Sequence, residues 1–479
     1  MPTGKPTSAI EGRASLGDAI VLGLSSSGPA QTLAVGLAGL VAVSHYGGAV
    51  PVLLCFVPML GIAIGYRRLN RWDPSAGATY TWVARVFHPL LGFLCGWMIL
   101  LYYTLGTSSL TIPAGTYTLE LIAPGLVDQP VAVALAGGAW NVAVTLLALR
   151  GLTAVARVGW LVVVFQYAVL LFVAGVGLVA LFNGTAAARF SWHWFTLEGM
   201  GGWRGLMHGM LIACFMYSGW DAAIYVNEES RDRTGNPGHA AIASVIILAV
   251  CYLVTVLGFQ AVLSPAELAK HAGNALAVIA ATLMPGPWGK VMSLVVLTGT
   301  LATLQAAVVS AARISSAMAR DGVMPAVFRR IDPRSGNPWA ATIVMCVLNL
   351  ALLALALSAG SIGDALGNVV SSLGLISILF YGLTGAAAVW HNRRLDPAPG
   401  AFIAGSLMPG FGALFMAWVA VESVRSGATS TTVLVYGGGS VAVGAVIAWL
   451  LQRFGHAPFF RTGPDTPAGG QVMQREPSK

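Results

Sequence analysis

The amino-acid sequence predicts an all-α polytopic membrane protein with twelve transmembrane helices. Ten form a five-plus-five inverted repeat with helices 1 and 6 broken, and two are added after it. Three observations carry this prediction. Of the 479 residues, 56% are hydrophobic and only 9% charged, where soluble proteins carry about 25% charged residues. Apolar segments of membrane-spanning length recur along the chain with no polar domain between them. Two of those segments, five apart in order, are interrupted near mid-depth.

A helix needs roughly 20 apolar residues to cross the hydrocarbon. Segments of that size are Leu16–Val43, Tyr46–Gly65, Leu90–Ile112, Val131–Leu149, Trp160–Phe182, Gly205–Val226, Ala240–Leu263, Val291–Ala312, Trp339–Leu357, Ala365–Trp390, Ala401–Val421 and Thr432–Leu451. The polar residues 1–15 and 452–479 are expected to be cytoplasmic tails. Residues 16–390 make the expected core, as repeats 16–182 and 205–390, and 401–451 hold helices 11 and 12. The first span is too long and too interrupted for a signal peptide. Cys55, Cys95, Cys214, Cys251 and Cys346 lie in or beside apolar spans, with neither disulfide nor metal spacing, and read as small core residues.

Charge orients the chain. With the N-terminus inside, all but five of the 26 Lys and Arg residues fall in cytoplasmic segments; the exceptions are Arg189, Arg204, Lys270, Lys290 and Arg425. That bias follows the positive-inside rule and puts both termini in the cytoplasm. It accounts for the net charge of +8 through anionic lipid, without nucleic acid. The absence of a targeting peptide points to a plasma membrane, and to a bacterial inner membrane in particular.

The interruptions carry the chemistry. Ser25-Ser26-Ser27-Gly28-Pro29 breaks span one, because proline removes a donor and obstructs the preceding turn. Tyr217-Ser218-Gly219-Trp220-Asp221 breaks span six, setting glycine beside a carboxylate at membrane depth. An offset of five, an odd number, inverts the second unit, and paired broken helices then form a midplane site. The half-helix starting after Gly28 offers free N–H groups that suit a carboxylate. The half-helix ending near Ser218 offers carbonyls that suit an ammonium group. A small zwitterion is the implied substrate, and membrane lipid the other expected partner.

Four stretches show where such a chain belongs. They are Ser26-Ser27-Gly28; Pro74-Ser75-Ala76-Gly77-Ala78-Thr79-Tyr80 with Leu91-Gly92-Phe93 and Gly96-Trp97; Asn227-Glu228-Glu229-Ser230 with Pro237; and Ala312-Arg313 through Ala317-Met318-Ala319-Arg320-Asp321-Gly322-Val323-Met324-Pro325. In order and spacing the sequence resembles the amino acid–polyamine–organocation permeases along nearly its whole length, with Ser26 standing where those proteins carry a first glycine. The resemblance implies alternating access. It implies that Ser26, Ser27, Gly28 and Ala30 hold a substrate carboxylate, and that Ser218, Gly219, Trp220 and Asp221 surround its amine. Phe215 matches an aromatic gate of some members. Asp221 matches a position that is acidic in several members handling arginine or polyamines. Gln166 falls where some proton-coupled members place a buried lysine, and Thr300 and Thr303 fall where sodium-coupled relatives use hydroxyl ligands. Proton coupling or exchange is the expectation, with Asp221, Gln166, Thr300 and Thr303 as coupling candidates.

An ionisable group inside a span is costly, so Asp221 reads as functional, with a structural carboxylate as the alternative. Asp18, Glu228, Glu229, Arg313 and Arg320 sit near the cytoplasmic ends of spans one, six and eight; they could latch an inner gate or stay solvated. Trp220, Tyr102 and Tyr103 could line the site or simply pack. No phosphate-binding loop is present, so ATP is not the expected driver. No nucleophile–base pair or metal-ligand spacing points to an enzyme, a metal or a cofactor. The competing readings are a polyamine or other organic-cation carrier and a non-transporting membrane sensor.

Overall fold

The computed structural model describes residues 14–461, apart from 151, 272, 334, 359–361, 394–401 and 455–456. Among the described residues every regular element is helical, and one isolated parallel bridge joins Ala14 to Ser230. Eleven helices are long and apolar enough to cross a membrane, and the shorter apolar helix Trp339–Leu355 completes the predicted twelve.

In chain order the membrane helices are α1a (Leu16–Ser27) and α1b (Pro29–Ser44), α2 (Ala49–Trp72), α3 (Pro89–Ile122), α4 (Pro130–Leu149), α5 (Leu152–Phe182), and α6a (Gly202–Tyr217) with α6b (Ala222–Tyr225). They continue as α7 (Asn236–Phe259), α8 (Trp288–Arg320), α9 (Trp339–Ser358), α10 (Ile362–Asn392), α11 (Met408–Arg425) and α12 (Gly439–Phe454). Each of α11 and α12 is preceded by a π-helical turn, Ile403–Leu407 and Leu434–Gly438. Helices α3 and α8 outrun their apolar windows, at 34 and 33 residues. Hydrophobicity marks only the part in hydrocarbon, whereas the backbone continues until something stops it. For α8 that stop is Asp321 followed by Gly322 at φ 78°.

The helices pack in pairs that recur with an offset of five. Helix α1a lies on α7 and α2 on α6a; α3 lies on α4 and α8 on α9; α3 lies on α10 and α8 on α5; α1a lies on α5 and α6a on α10. The self-related pairs α2–α7, α3–α8 and α4–α9 also touch. This is one five-helix unit used twice. Outside it, α11 packs on α2 and α10, and α12 packs on α3.

Both ends of the described chain are tied down. The Ala14 N–H donates to the Glu229 carbonyl at 3.0 Å, and the Arg231 N–H donates to the Ala14 carbonyl at 2.9 Å. Ser15 and Asp18 cap α1a reciprocally, so Asp18 serves its own helix and joins no gate ion pair among the described residues. Of the predicted N-terminal tail, residues 1–13 lie outside the described ones. Of the predicted C-terminal tail, the start is the end of α12. Residues Pro458–Arg461 then form a turn whose Phe459 ring stacks on Tyr80 at 4.8 Å. Two adjacent aromatic residues keep this segment on the protein despite its polar neighbours.

Candidate substrate site between the two helix breaks

The interruptions are real backbone events. Helix α1a ends at Ser27, Gly28 adopts φ 46°, and Pro29 opens α1b with no side-chain cap on its free N–H groups. Helix α6a ends at Tyr217, Ser218 is extended, and Gly219 turns at φ 102° before α6b begins. Both glycines take the left-handed backbone that disfavours a side chain. A Cβ on Gly219 would lie 2.9 Å from the Ser26 carbonyl group, and a Cβ on Gly28 would collide with the Thr303 hydroxyl. The two breaks therefore touch each other, and α8 touches the first.

Beside this junction lies a small cavity. Helix one contributes Ser26, Ser27, Gln31 and Thr32; helix six contributes Phe215 and Ser218; α8 contributes Thr303 and Ala307. One face of α3 supplies Tyr102, Tyr103, Gly106, Ser109 and Leu110, and α10 supplies Leu373. Among the described residues, no lining side chain is ionisable near neutral pH. The wall divides into hydroxyl and amide groups near the breaks and an apolar side where Phe215 packs with Tyr102 and Leu373. The Ser26 and Tyr103 hydroxyls are both buried in the wall and interact with each other.

The site residues expected from sequence separate into two sets. Ser26, Ser27, Phe215, Ser218 and Thr303 line the cavity; Gly28, Ala30, Gln166, Gly219, Trp220, Asp221 and Thr300 do not. Ala30 faces α8, where a Cβ on Gly299 would stand 3.3 Å from it and 2.8 Å from the Gln166 amide oxygen. Gln166 is fully buried, and neither end of its amide has a partner. The Thr300 hydroxyl donates to the Val296 carbonyl at 2.7 Å, within its own helix.

Asp221 is 1% exposed and sits behind the wall. Tyr225 Oη donates to one carboxylate oxygen and Tyr381 Oη to the other, each at 2.7 Å. The Gly219 N–H donates to Tyr381 Oη at 3.1 Å, so the carboxylate, the tyrosine and the break form one network. Trp220 stacks on Tyr381 at 5.3 Å and meets the edge of Tyr66 at 5.0 Å. At the end of α6a several carbonyls are already used. Cys214 accepts from Ser218 Oγ, Phe215 from the Ser218 N–H, and Met216 from Tyr252 Oη.

Beyond this aromatic floor lies a second opening of about 530 Å³, bordered by Glu228, Glu229, Arg313 and Arg320. Two ion pairs cross it, Arg313–Glu229 at 2.6 Å and Arg320–Glu228 at 2.9 Å. The Ala76 N–H also donates to Glu228 at 3.0 Å. Of the two readings of these charges, the structure forms the paired one, without Asp18. Nearby, Tyr80 Oη donates to Asp321 at 2.8 Å, and burial pushes the Asp321 carboxyl above the usual carboxylate range.

Sequence reasoning missed Gln31, Thr32 and most of the α3 face. A signal for the latter exists, because Tyr102, Gly106, Ser109 and Leu110 fall at helical spacing and include two small residues within an apolar span.

Paired broken helices around a cavity without charged lining among the described residues, in an all-helical polytopic chain, define a permease-type membrane protein. The chain belongs to the amino acid permease family, whose sequence profile matches residues 18–435. It is similar to the human large neutral amino acids transporter small subunit 2, at 23% identity over 380 residues covering 78% of this chain and 68% of that one. It is similar to the human Asc-type amino acid transporter 1, at 25% over 341 residues, 71% of this chain and 61% of that one. It is also similar to the low-affinity putrescine importer PlaP of Escherichia coli strain K12, at 27% over 318 residues, 64% of this chain and 67% of that one.

Proposed function

We propose that this permease is a secondary active transporter that carries a neutral amino acid across a plasma membrane by alternating access. The observation that carries the choice of substrate is the absence of any charged side chain from the cavity lining. A free diamine would have to leave water for a pocket with no counter-charge, which is expensive. A zwitterion brings its own. Its carboxylate would meet the uncapped N–H groups of α1b and the Ser26 hydroxyl. Its amine would meet the hydroxyl and carbonyl groups around Ser218, and an apolar side chain would lie against Phe215 and Leu373.

The putrescine importer among the relatives favours a second reading, a polyamine carrier using Asp221. Against it, both oxygens of Asp221 are engaged by tyrosines behind the wall. In our reading Asp221 belongs to coupling. A proton reaching it would loosen its hold on Tyr381 and hence on Gly219. The charge bias of the loops supports cytoplasmic termini, as in a bacterial inner membrane, and supports reading the Arg313–Glu229 and Arg320–Glu228 pairs as part of an inner gate.

Uptake by proteoliposomes tests this. Leucine and isoamylamine, its decarboxylated analogue, would be compared with and without an inward proton gradient, in wild type and Asp221→Asn. The reading expects leucine-type uptake, none of the amine, and loss of only the gradient-driven part in Asp221→Asn. Uptake of the amine alone, abolished by Asp221→Asn, would establish the polyamine carrier instead. No uptake of any amino acid or amine would favour a sensor.

A further inference from the structure

Three sulfur atoms from helices distant in sequence meet behind the cavity wall. Cys55 of α2, Cys214 of α6a and Met416 of α11 are each 0% exposed. Cys55 Sγ lies 3.6 Å from Cys214 Sγ, and Cys214 Sγ lies 4.0 Å from Met416 Sδ. A cation bound at a metal–sulfur distance of about 2.3 Å holds neighbouring ligand sulfurs about 3.8–4.0 Å apart at tetrahedral or trigonal angles. The observed separations bracket that range, so an ion could be seated with small side-chain shifts. Among the described residues no group of three His, Cys, Asp or Glu could hold a metal. The Met210 carbonyl, which accepts from the Cys55 thiol at 3.8 Å, is the oxygen recorded beside the cluster among the described residues; the other donors are sulfur, and thiolate and thioether sulfur select soft ions.

We propose that Cys55, Cys214 and Met416 form a binding site for one soft monovalent cation, Cu(I) or Ag(I). On binding, one thiol releases its proton to the buffer as the ion enters, and the sulfur lone pair left behind bonds the ion. The second thiol and the thioether each donate a lone pair without losing a proton. One positive charge meets one thiolate, and the complex is neutral, as an apolar interior requires. The ion ties α6a to α2 and to α11, which lies outside the paired repeat. Cys214 precedes Phe215 at the cavity wall, so an occupied site restrains the helix that borders the substrate and arrests uptake.

The full-length protein, purified and reduced under anaerobic conditions, would be loaded with limiting Ag(I), desalted, and assayed for silver per protein and for uptake after reconstitution. The expected result is one retained silver with uptake blocked. Cys55→Ser and Cys214→Ser should each weaken retention at least as much as the roughly ten- to hundredfold that loss of a mere outer partner costs a metal site. Met416→Leu, close in volume, should weaken it less, and Cys251→Ser not at all. Silver-free uptake identifies the variants that fold, and Cys214→Ala replaces any serine variant that does not. Retention that survives loss of Cys55 and Cys214 overturns the proposal. So does disappearance of two thiols with no silver retained, because that outcome is a disulfide.

Discussion

The broken helices one and six occupy equivalent places in the repeat and are built to different ends. At helix one, Gly28 and Pro29 open a gap whose N–H side no side chain caps, while the Thr32 hydroxyl donates to the Ser27 carbonyl at 2.7 Å on its other side. At helix six the gap is filled from within. Asp221 is held by two tyrosines, one of which also receives the Gly219 N–H, and Trp220 lies in an aromatic stack. Past the break, Glu228 and Glu229 are fastened to α8. The same backbone device can thus be satisfied on one side only, as at helix one, or closed by a side-chain network, as at helix six. The difference lies in what surrounds the glycine rather than in the glycine itself.

The largest expected effect probes the fastened end. Arg313→Ala leaves Glu229, whose side chain is 16% exposed, without its cation, and the cost should approach the roughly 3–5 kcal/mol of a buried pair. A drop of several degrees in thermal unfolding is expected. Arg320→Ala is the control, because its pair is 41% and 30% exposed and contributes no more than about 1 kcal/mol. Equal effects would show that the two pairs do not differ in burial in the membrane-embedded protein.

Asp221→Asn keeps the shape but replaces one acceptor with an amide donor, so one tyrosine hydroxyl loses its bond. The expected destabilisation is about 1–3 kcal/mol, read as a lower unfolding temperature in detergent. An unchanged temperature would mean that helix six is as open as helix one, and the contrast would fail.

Gly28→Ala should cost about 1–2 kcal/mol from backbone conformation alone, with an added collision against Thr303. Substrate binding should fall at least about tenfold, since 1.4 kcal/mol is a factor of ten. The double variant Gly28→Ala with Thr303→Ala should recover part of that loss; no recovery would place the damage elsewhere.

The smallest effect separates ligand groups from packing groups. Ser26→Ala removes a hydroxyl whose partner in the folded protein is the Tyr103 hydroxyl, so stability should fall only slightly. Substrate affinity should fall about fivefold, the equivalent of about 1 kcal/mol for one hydrogen bond. A stability loss with unchanged affinity would assign that hydroxyl to the fold.

Much of the architecture is legible in the sequence because hydrocarbon thickness acts on each helix separately. Apolar length marks the spans, and Gly-Pro or Gly beside a carboxylate marks the breaks. What lines the cavity is legible only in part. Ser26 and Ser27 precede the first break on a regular helix, and their side is set by local spacing. Beyond Gly28 the chain resumes in a new direction, which carries Ala30 toward Gly299 and brings Gln31 and Thr32 into the wall. The same happens after Gly219, where the turn sends Trp220 and Asp221 behind the wall. A left-handed residue resets the rotation of everything downstream, and sequence spacing does not carry that angle. The pairs Arg313–Glu229 and Asp221–Tyr381 join residues far apart in the chain, and their distance depends on helix packing that no local pattern encodes.

The stack of Phe459 on Tyr80 bears on how the protein is made. Tyr80 enters the membrane region early in synthesis, and its hydroxyl donates to Asp321, next to the Arg320 that pairs with Glu228. Its ring is covered by Phe459 only after α12 has been inserted and the chain has turned back. The Tyr80 ring of the nascent protein therefore lacks this cover through most of translation. Its final packing is a late assembly step, completed from the far end of the chain.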